Sequence, residues 1–264
     1  MAGDNIPDFI IGATLGDTNG FSNSGETYLI SGADLADLDA RSGADGVIEL
    51  IHAMCFARGT LIQTQLGEVP IEQLEMGHRV LTMDDGYQPI RWIGRTALSR
   101  ADLEANPKLK PIRIRADALG PGLPKQDLLV SPQHRVLVRS AIAHRMFDAH
   151  EVLIPANKLL TLPGIDIEWE ADGVDYFHIL FDAHQLVWSN GAVTESLFTG
   201  PEALKAVSPE AREEIETLFP EIARPDFVPT AVRFIPEKGK HMKTLTQRLV
   251  KNNKIAQESH GLHM

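Results

Sequence analysis

The sequence predicts an all-β domain followed by one short helix. Three observations carry that expectation: short apolar or alternating segments, Gly-containing turns between them, and no regular alternation of strand and helix patterns. Val80-Leu81-Thr82-Met83 leads through Asp84-Asp85-Gly86 to Ile90-Arg91-Trp92-Ile93. Ile165-Asp166-Ile167-Glu168-Trp169 alternates strictly, and Ala171-Asp172-Gly173 carries it into Tyr176-Phe177-His178-Ile179-Leu180-Phe181. Leu186-Val187-Trp188 reaches Ser189-Asn190-Gly191 and then Ala192-Val193-Thr194. Asp-Gly and Asn-Gly supply the positive φ that tight hairpin turns demand, so each pair reads as a hairpin in a meander, barrel or sandwich. The helix is marked by Ser208-Pro209-Glu210, an N-cap, a first-turn proline and an acid at the positive end of the dipole. Ala211, Ile215, Leu218 and Phe219 share one face, and Pro220 ends it.

Composition narrows the function classes. The chain has 264 residues, 43% of them hydrophobic, enough for a substantial core. Its net charge of −11 argues against a nucleic-acid partner or an anionic membrane surface. No apolar run approaches ~18 residues, so no membrane span is expected. The N-terminus, MAGDNIPDF, lacks the basic start and apolar stretch of a signal peptide. The single Cys excludes an intramolecular disulfide and a zinc site built from several thiolates.

Charge divides the chain. Residues 1–54 hold nine acids against Arg41 alone, whereas residues 233–264 hold seven bases against Glu237 and Glu258. The expected organisation is an acidic leader at 1–54, a central domain at 55–222 and a basic tail at 223–264, weakly patterned from about Pro236 and open to two readings, a frayed helix or a flexible chain.

Three segments carry chemistry: Met54-Cys55-Phe56-Ala57-Arg58-Gly59-Thr60, Ser131-Pro132-Gln133-His134, and Tyr176 through His184. A thiol with a histidine elsewhere in the chain is the minimum for nucleophilic acyl chemistry. Taken alone it is weak, because a lone Cys is more often a small buried apolar residue.

Read in order, these segments resemble the Hint module shared by inteins and the C-terminal parts of Hedgehog proteins, and more closely its bacterial Hedgehog/intein-type members. Cys55-Phe56 with Gly59-Thr60 resembles the opening block. Leu66 through Leu74 and Gly77-His78-Arg79-Val80-Leu81 resemble the G-x-x-x-I-x-x-L-x-x-G-D-x-V-L block, with His78 where Asp is usual. Ser131-Pro132-Gln133-His134 resembles the T-x-x-H block, with Ser in place of Thr. The resemblance implies a Hint-type β fold and self-processing at the Met54–Cys55 bond, with the chain's own N-terminal segment as substrate and no cofactor. It also favours a secreted or cell-surface setting.

The chemistry so implied is attack of the Cys55 thiol on the Met54 carbonyl, turning the amide into a thioester. His134 is expected to protonate the leaving amine. Ser131 is expected to hold the scissile amide or the oxyanion. His178, Asp182 and His184 lie in the segment resembling the penultimate block and, on one strand, would share a face. Glu195 and Ser196 stand where inteins carry the His-Asn pair that releases the C-terminal segment, so splicing is not expected. Trp92-Ile93-Gly94-Arg95 lacks the acid that Hedgehog proteins use with a sterol, leaving water, a thiol or an amine as acceptor.

Residues 6–32 resemble one FG-GAP repeat of an integrin-like β-propeller, with Asp17 and Asn19 as weak calcium candidates. Two other readings stay open: a non-catalytic β interaction module attached to a propeller-type surface protein, and a cysteine hydrolase acting in trans through Cys55 and His134.

Overall fold

A computed structural model describes residues 9–12, 27–30, 54–199, 209–224 and 227–257. The chain divides into two compact units, Met1–Glu49 and Leu50–Met264. In the first, β1 (Phe9–Gly12) and β2 (Thr27–Ile30) form an antiparallel pair with Phe9 opposite Ile30. The calcium candidates Asp17 and Asn19 lie outside the described residues.

The second unit is built from two sheets. One has six strands, β3 (Phe56–Ala57), β8 (Trp92–Ser99), β9 (Ile112–Ile114), β10 (Leu128–Val130), β13 (Ile165–Ile167) and β14 (Gly173–Leu180), in the order β13-β9-β10-β3-β14-β8. The other holds β4 (Leu61–Thr64), β5 (Gly67–Pro70), β6 (Arg79–Thr82), β7 (Gly86–Pro89), β11 (Arg135–Arg139), β12 (Glu151–Pro155), β15 (Leu186–Ser189) and β16 (Ala192–Glu195). Its order is β12-β11-β16-β15-β4-β6-β7, with β5 on β4. Alternating apolar positions of both sheets, among them Phe56, Ile62, Val80, Ile112, Val136 and Ile179, meet in one buried core.

The local hairpin signal holds where the chain turns at once. Asn190 and Gly191, at φ +48° and +84°, join β15 to β16 in a two-residue loop. The other two expected pairings are corrected. Gly86 does turn the chain after β6, but the partner strand is Gly86–Pro89, and Trp92–Ser99 crosses to the other sheet. Ile165–Ile167 pairs with β9, not with β14. Both reassignments follow from long-range burial, which turn chemistry does not encode.

Four helices are described: α1 (Arg100–Ala105), α2 (Ala141–Phe147), α3 (Pro209–Leu218) and α4 (Gly239–Lys251). α1 starts with a capping box between Ser99 and Asp102. α3 matches the expected span, and Ile215 and Phe219 are buried, but Leu218 is exposed instead of sharing their face. α4 falls within the expected basic tail, where the sequence pattern left a frayed helix and a flexible chain both open. Met242, Leu245 and Leu249 enter the main core. Beyond the helix, the Gln257 amide accepts from Val193 N at 2.8 Å and donates to the Leu137 and Val193 carbonyls at 2.8 and 2.9 Å. Among the described residues no helix is long and apolar enough to cross a membrane.

Candidate active site

β3 is only two residues long, yet it lies between β10 and β14. Val130 sits opposite Phe56 on one side and Phe177 opposite Phe56 on the other. Carrying each antiparallel register one position back along β3 places Ser131 and His178 on either side of Cys55. The hydrogen bonds agree. The Cys55 amide donates to Ser131 Oγ at 3.0 Å, and the Ser131 amide donates to the Cys55 carbonyl at 3.0 Å. Ser131 therefore holds the nitrogen of the Met54–Cys55 peptide bond.

His178 holds the other half. Its Nδ1 lies 3.1 Å from the Met54 carbonyl oxygen and its Nε2 lies 3.5 Å from Cys55 Sγ. A carbonyl can only accept, so Nδ1 carries the proton and the Nε2 lone pair faces the thiol. One imidazole thus touches both the Cys55 thiol and the Met54 carbonyl. Burial holds His178 down to about 4, opposed by the bond to Met54, so the ring is neutral near pH 7. Burial also pushes the Cys55 thiol up, with Ser131 acting in the opposite direction, so the resting pair is neutral.

His134 is fully buried behind β3 and packs edge-on against Phe56, ring centroids 4.5 Å apart. Among the described residues neither of its ring nitrogens finds a hydrogen-bond partner. Burial lowers His134 to about 4; Glu195 pulls it up, while Arg135, His178 and His184 push it further down.

The expected common face of residues 178, 182 and 184 does not form, because β14 ends at Leu180. Asp182 is exposed and pairs with Arg91 at 3.2 Å, so it is not brought to the thiol. His184 is buried but turned elsewhere. Its Nδ1 accepts from Val232 N at 3.2 Å, and its Nε2 sits 3.2 Å from Glu195 Oε2.

The family model described as the Hint domain matches residues 54–201, more than half of the chain. The chain belongs to the Hint domain family. Solved structures similar to this Hint domain include the gp41-1 intein, at 13% identity over 54% of this chain and 98% of that one, with a TM-score of 0.34. An intein-like domain from Clostridium thermocellum has 14% identity over 54% and 97%, with a TM-score of 0.38. A DnaB intein from Synechocystis sp. PCC 6803 has 11% identity over 55% and 99%, with a TM-score of 0.38. No curated protein matches the chain.

Glu195 and Ser196, expected from the sequence where inteins carry a His-Asn pair, both make hydrogen bonds within the domain. Ser196 Oγ accepts from Gln185 N at 3.0 Å. Glu195 is fully buried and accepts from the Arg135 amide at 2.8 Å and from Arg135 Nη1 at 2.9 Å. Burial alone would raise its carboxyl; the His184 hydrogen bond and the charges of Arg135, His184 and His134 hold it below the ordinary value.

Two features of the site were missed at the level of sequence. Arg135 reaches past Glu195 to place Nη1 3.1 Å from Met54 Sδ. Trp92, whose ring lies 6.4 Å from that of His178, donates its indole N–H to Glu214 of α3 at 2.8 Å. Arg135 directly follows His134, an adjacency that was available as a signal. The Trp92–Glu214 pair spans 122 positions and had none.

Proposed function

We propose that this Hint domain cleaves its own chain at the Met54–Cys55 bond by an N-to-S acyl shift. One observation carries the reading: His178 touches both Cys55 Sγ and the Met54 carbonyl oxygen while Ser131 holds the nitrogen between them. The thiol proton passes to His178 Nε2 as sulfur bonds to the Met54 carbonyl carbon. The Nδ1–H stays on the oxygen as negative charge develops there. The carbon–nitrogen bond then breaks, leaving a thioester on Cys55 and a free amine on the same residue. Balance requires one proton to move from sulfur to nitrogen. His134 is assigned as the last donor: it gives its ring N–H to the Cys55 nitrogen, and the proton that His178 took from the thiol is returned to it, so both rings end neutral as burial requires.

The thioester is resolved by water, a thiol or an amine, giving N-terminal cleavage without splicing. Glu195 and Ser196 support that limit, since neither side chain can form the succinimide that releases a C-terminal segment. The released leader would carry the β1–β2 pair, which is compatible with an FG-GAP-like repeat. Intact-mass measurement of the full chain with and without hydroxylamine or a thiol tests the reading. It expects a fragment ending at Met54, absent in Cys55→Ala and slowed ~10²–10⁴-fold in His134→Ala. A wild-type chain that stays whole under both nucleophiles would refute it.

A further inference from the structure

Met54 is the first residue matched by the family model, and its side chain is buried to 3% exposure. It packs with Trp92, Leu180, Leu197, Ile215 and Phe219. Two of those residues, Ile215 and Phe219, lie on or directly after α3, beyond residue 201 where the family match ends. The polar end of the enclosure is Arg135 Nη1 on the Met54 sulfur. We propose that this enclosure is a specificity site for the residue preceding the nucleophile, with α3 as its wall.

The chemistry of the walls defines the side chain it accepts. The apolar cluster in which Met54 is buried favours an apolar group that fills the space a methionine fills. A thioether sulfur is a weak acceptor and tolerates a guanidinium at 3.1 Å, whereas an ammonium there would face the like charge of Arg135. A carboxylate would compete with Glu195, which already holds Arg135 through two hydrogen bonds. Glu195 is thus a positioning residue, acting on the preceding side chain through Arg135. The Glu214–Trp92 bond ties α3 to β8.

The link to the reaction is geometric. The Met54 side chain and the Met54 carbonyl share one Cα, so seating the side chain fixes the carbonyl against His178 Nδ1. Contacts remote from the reacting atoms hold a near-attack geometry in this way, and displacement by about 1 Å can cost on the order of 10²-fold in rate.

This inference rests on the self-cleavage reading, and one experiment separates the two. The hydroxylamine cleavage rate of the full chain is measured with Met54 kept or replaced by Leu, Ala or Lys. Leu should stay within about threefold of Met. Ala should fall about 10–200-fold, the discrimination that missing methylenes give in an apolar pocket, and Lys should fall at least as far. In Ile215→Ala the difference between Met and Ala should shrink to about threefold or less. Should Ile215→Ala lose its fold by circular dichroism, Glu214→Ala, which unties α3 without hollowing the core, carries the same comparison. Leu218→Ala, on the exposed side of α3, should leave the ranking unchanged. If wild type cleaves and all four residues at 54 give rates within about threefold, the specificity site is overturned and self-cleavage stands. If wild type itself stays whole, both fall together.

Discussion

Replacing His178 is the sharpest perturbation of the site, because one ring makes two contacts that the proposed acyl shift needs. His178→Ala removes the donor 3.1 Å from the Met54 oxygen, where charge develops. Loss of one such donor costs ~10²–10³-fold. It also removes the acceptor 3.5 Å from Sγ, and loss of a general base costs ~10²–10⁴-fold. Groups acting as a unit are not additive, so the expected loss is about 10³–10⁵-fold, or ~4–7 kcal/mol of barrier. The assay is the first-order rate of hydroxylamine cleavage at pH 7 by intact mass, beside a thermal melt. His178→Ala cleaving within threefold of wild type, while Cys55→Ala is inert, would refute the assignment.

Ser131→Ala removes the acceptor of the scissile amide and should slow cleavage about tenfold or more, whereas Ser131→Thr keeps the hydroxyl and most of the rate; equal rates for the two would refute the role. Acid should unfold the domain early, and the sign follows from His134 and His178 both sitting at about 4 when folded, against an ordinary 6.5. The unfolded chain binds more protons, so their contribution is complete above ~pH 6.5 and is lost towards pH 4, about 3 kcal/mol for each ring. Denaturant midpoints that do not fall across that window would contradict it. Gly94→Ala should displace Trp92, because a Cβ at Gly94 would overlap the indole, and should lower both the melting temperature and the cleavage rate. Gln257→Ala strands three hydrogen-bonding groups on β11 and β16 and should cost about 1–3 kcal/mol in chemical denaturation; an unchanged midpoint would mean that the clamp is not needed.

What could be read from the sequence was local. The Asn190-Gly191 hairpin was legible because two adjacent residues set its geometry. Cys55, Ser131 and His134 stood out by uniqueness and spacing. The ranking of the histidines was not legible: His178 reaches the thiol because two registers flank a two-residue strand, and strand partners are chosen by burial across the whole unit. Asp182 was misplaced for the same reason, since no local signal ends β14 at Leu180. α4 is a different case. Met242, Leu245 and Leu249 have helical spacing, but a high charge density obscured the stripe. The pocket around Met54 joins residues from β8, β14 and α3, and its existence depends on tertiary packing alone.

The separation of the site's parts along the chain sets a clock. Cys55 and His178 are 123 positions apart. At ~5–20 residues per second of synthesis, the nucleophile waits about 6–25 s before its partner is even polymerised. Long loops must then close before the short central strand acquires both neighbours. Cleavage would therefore report that the unit has folded, and a chain truncated before Gly173 should keep its leader attached however long it is incubated.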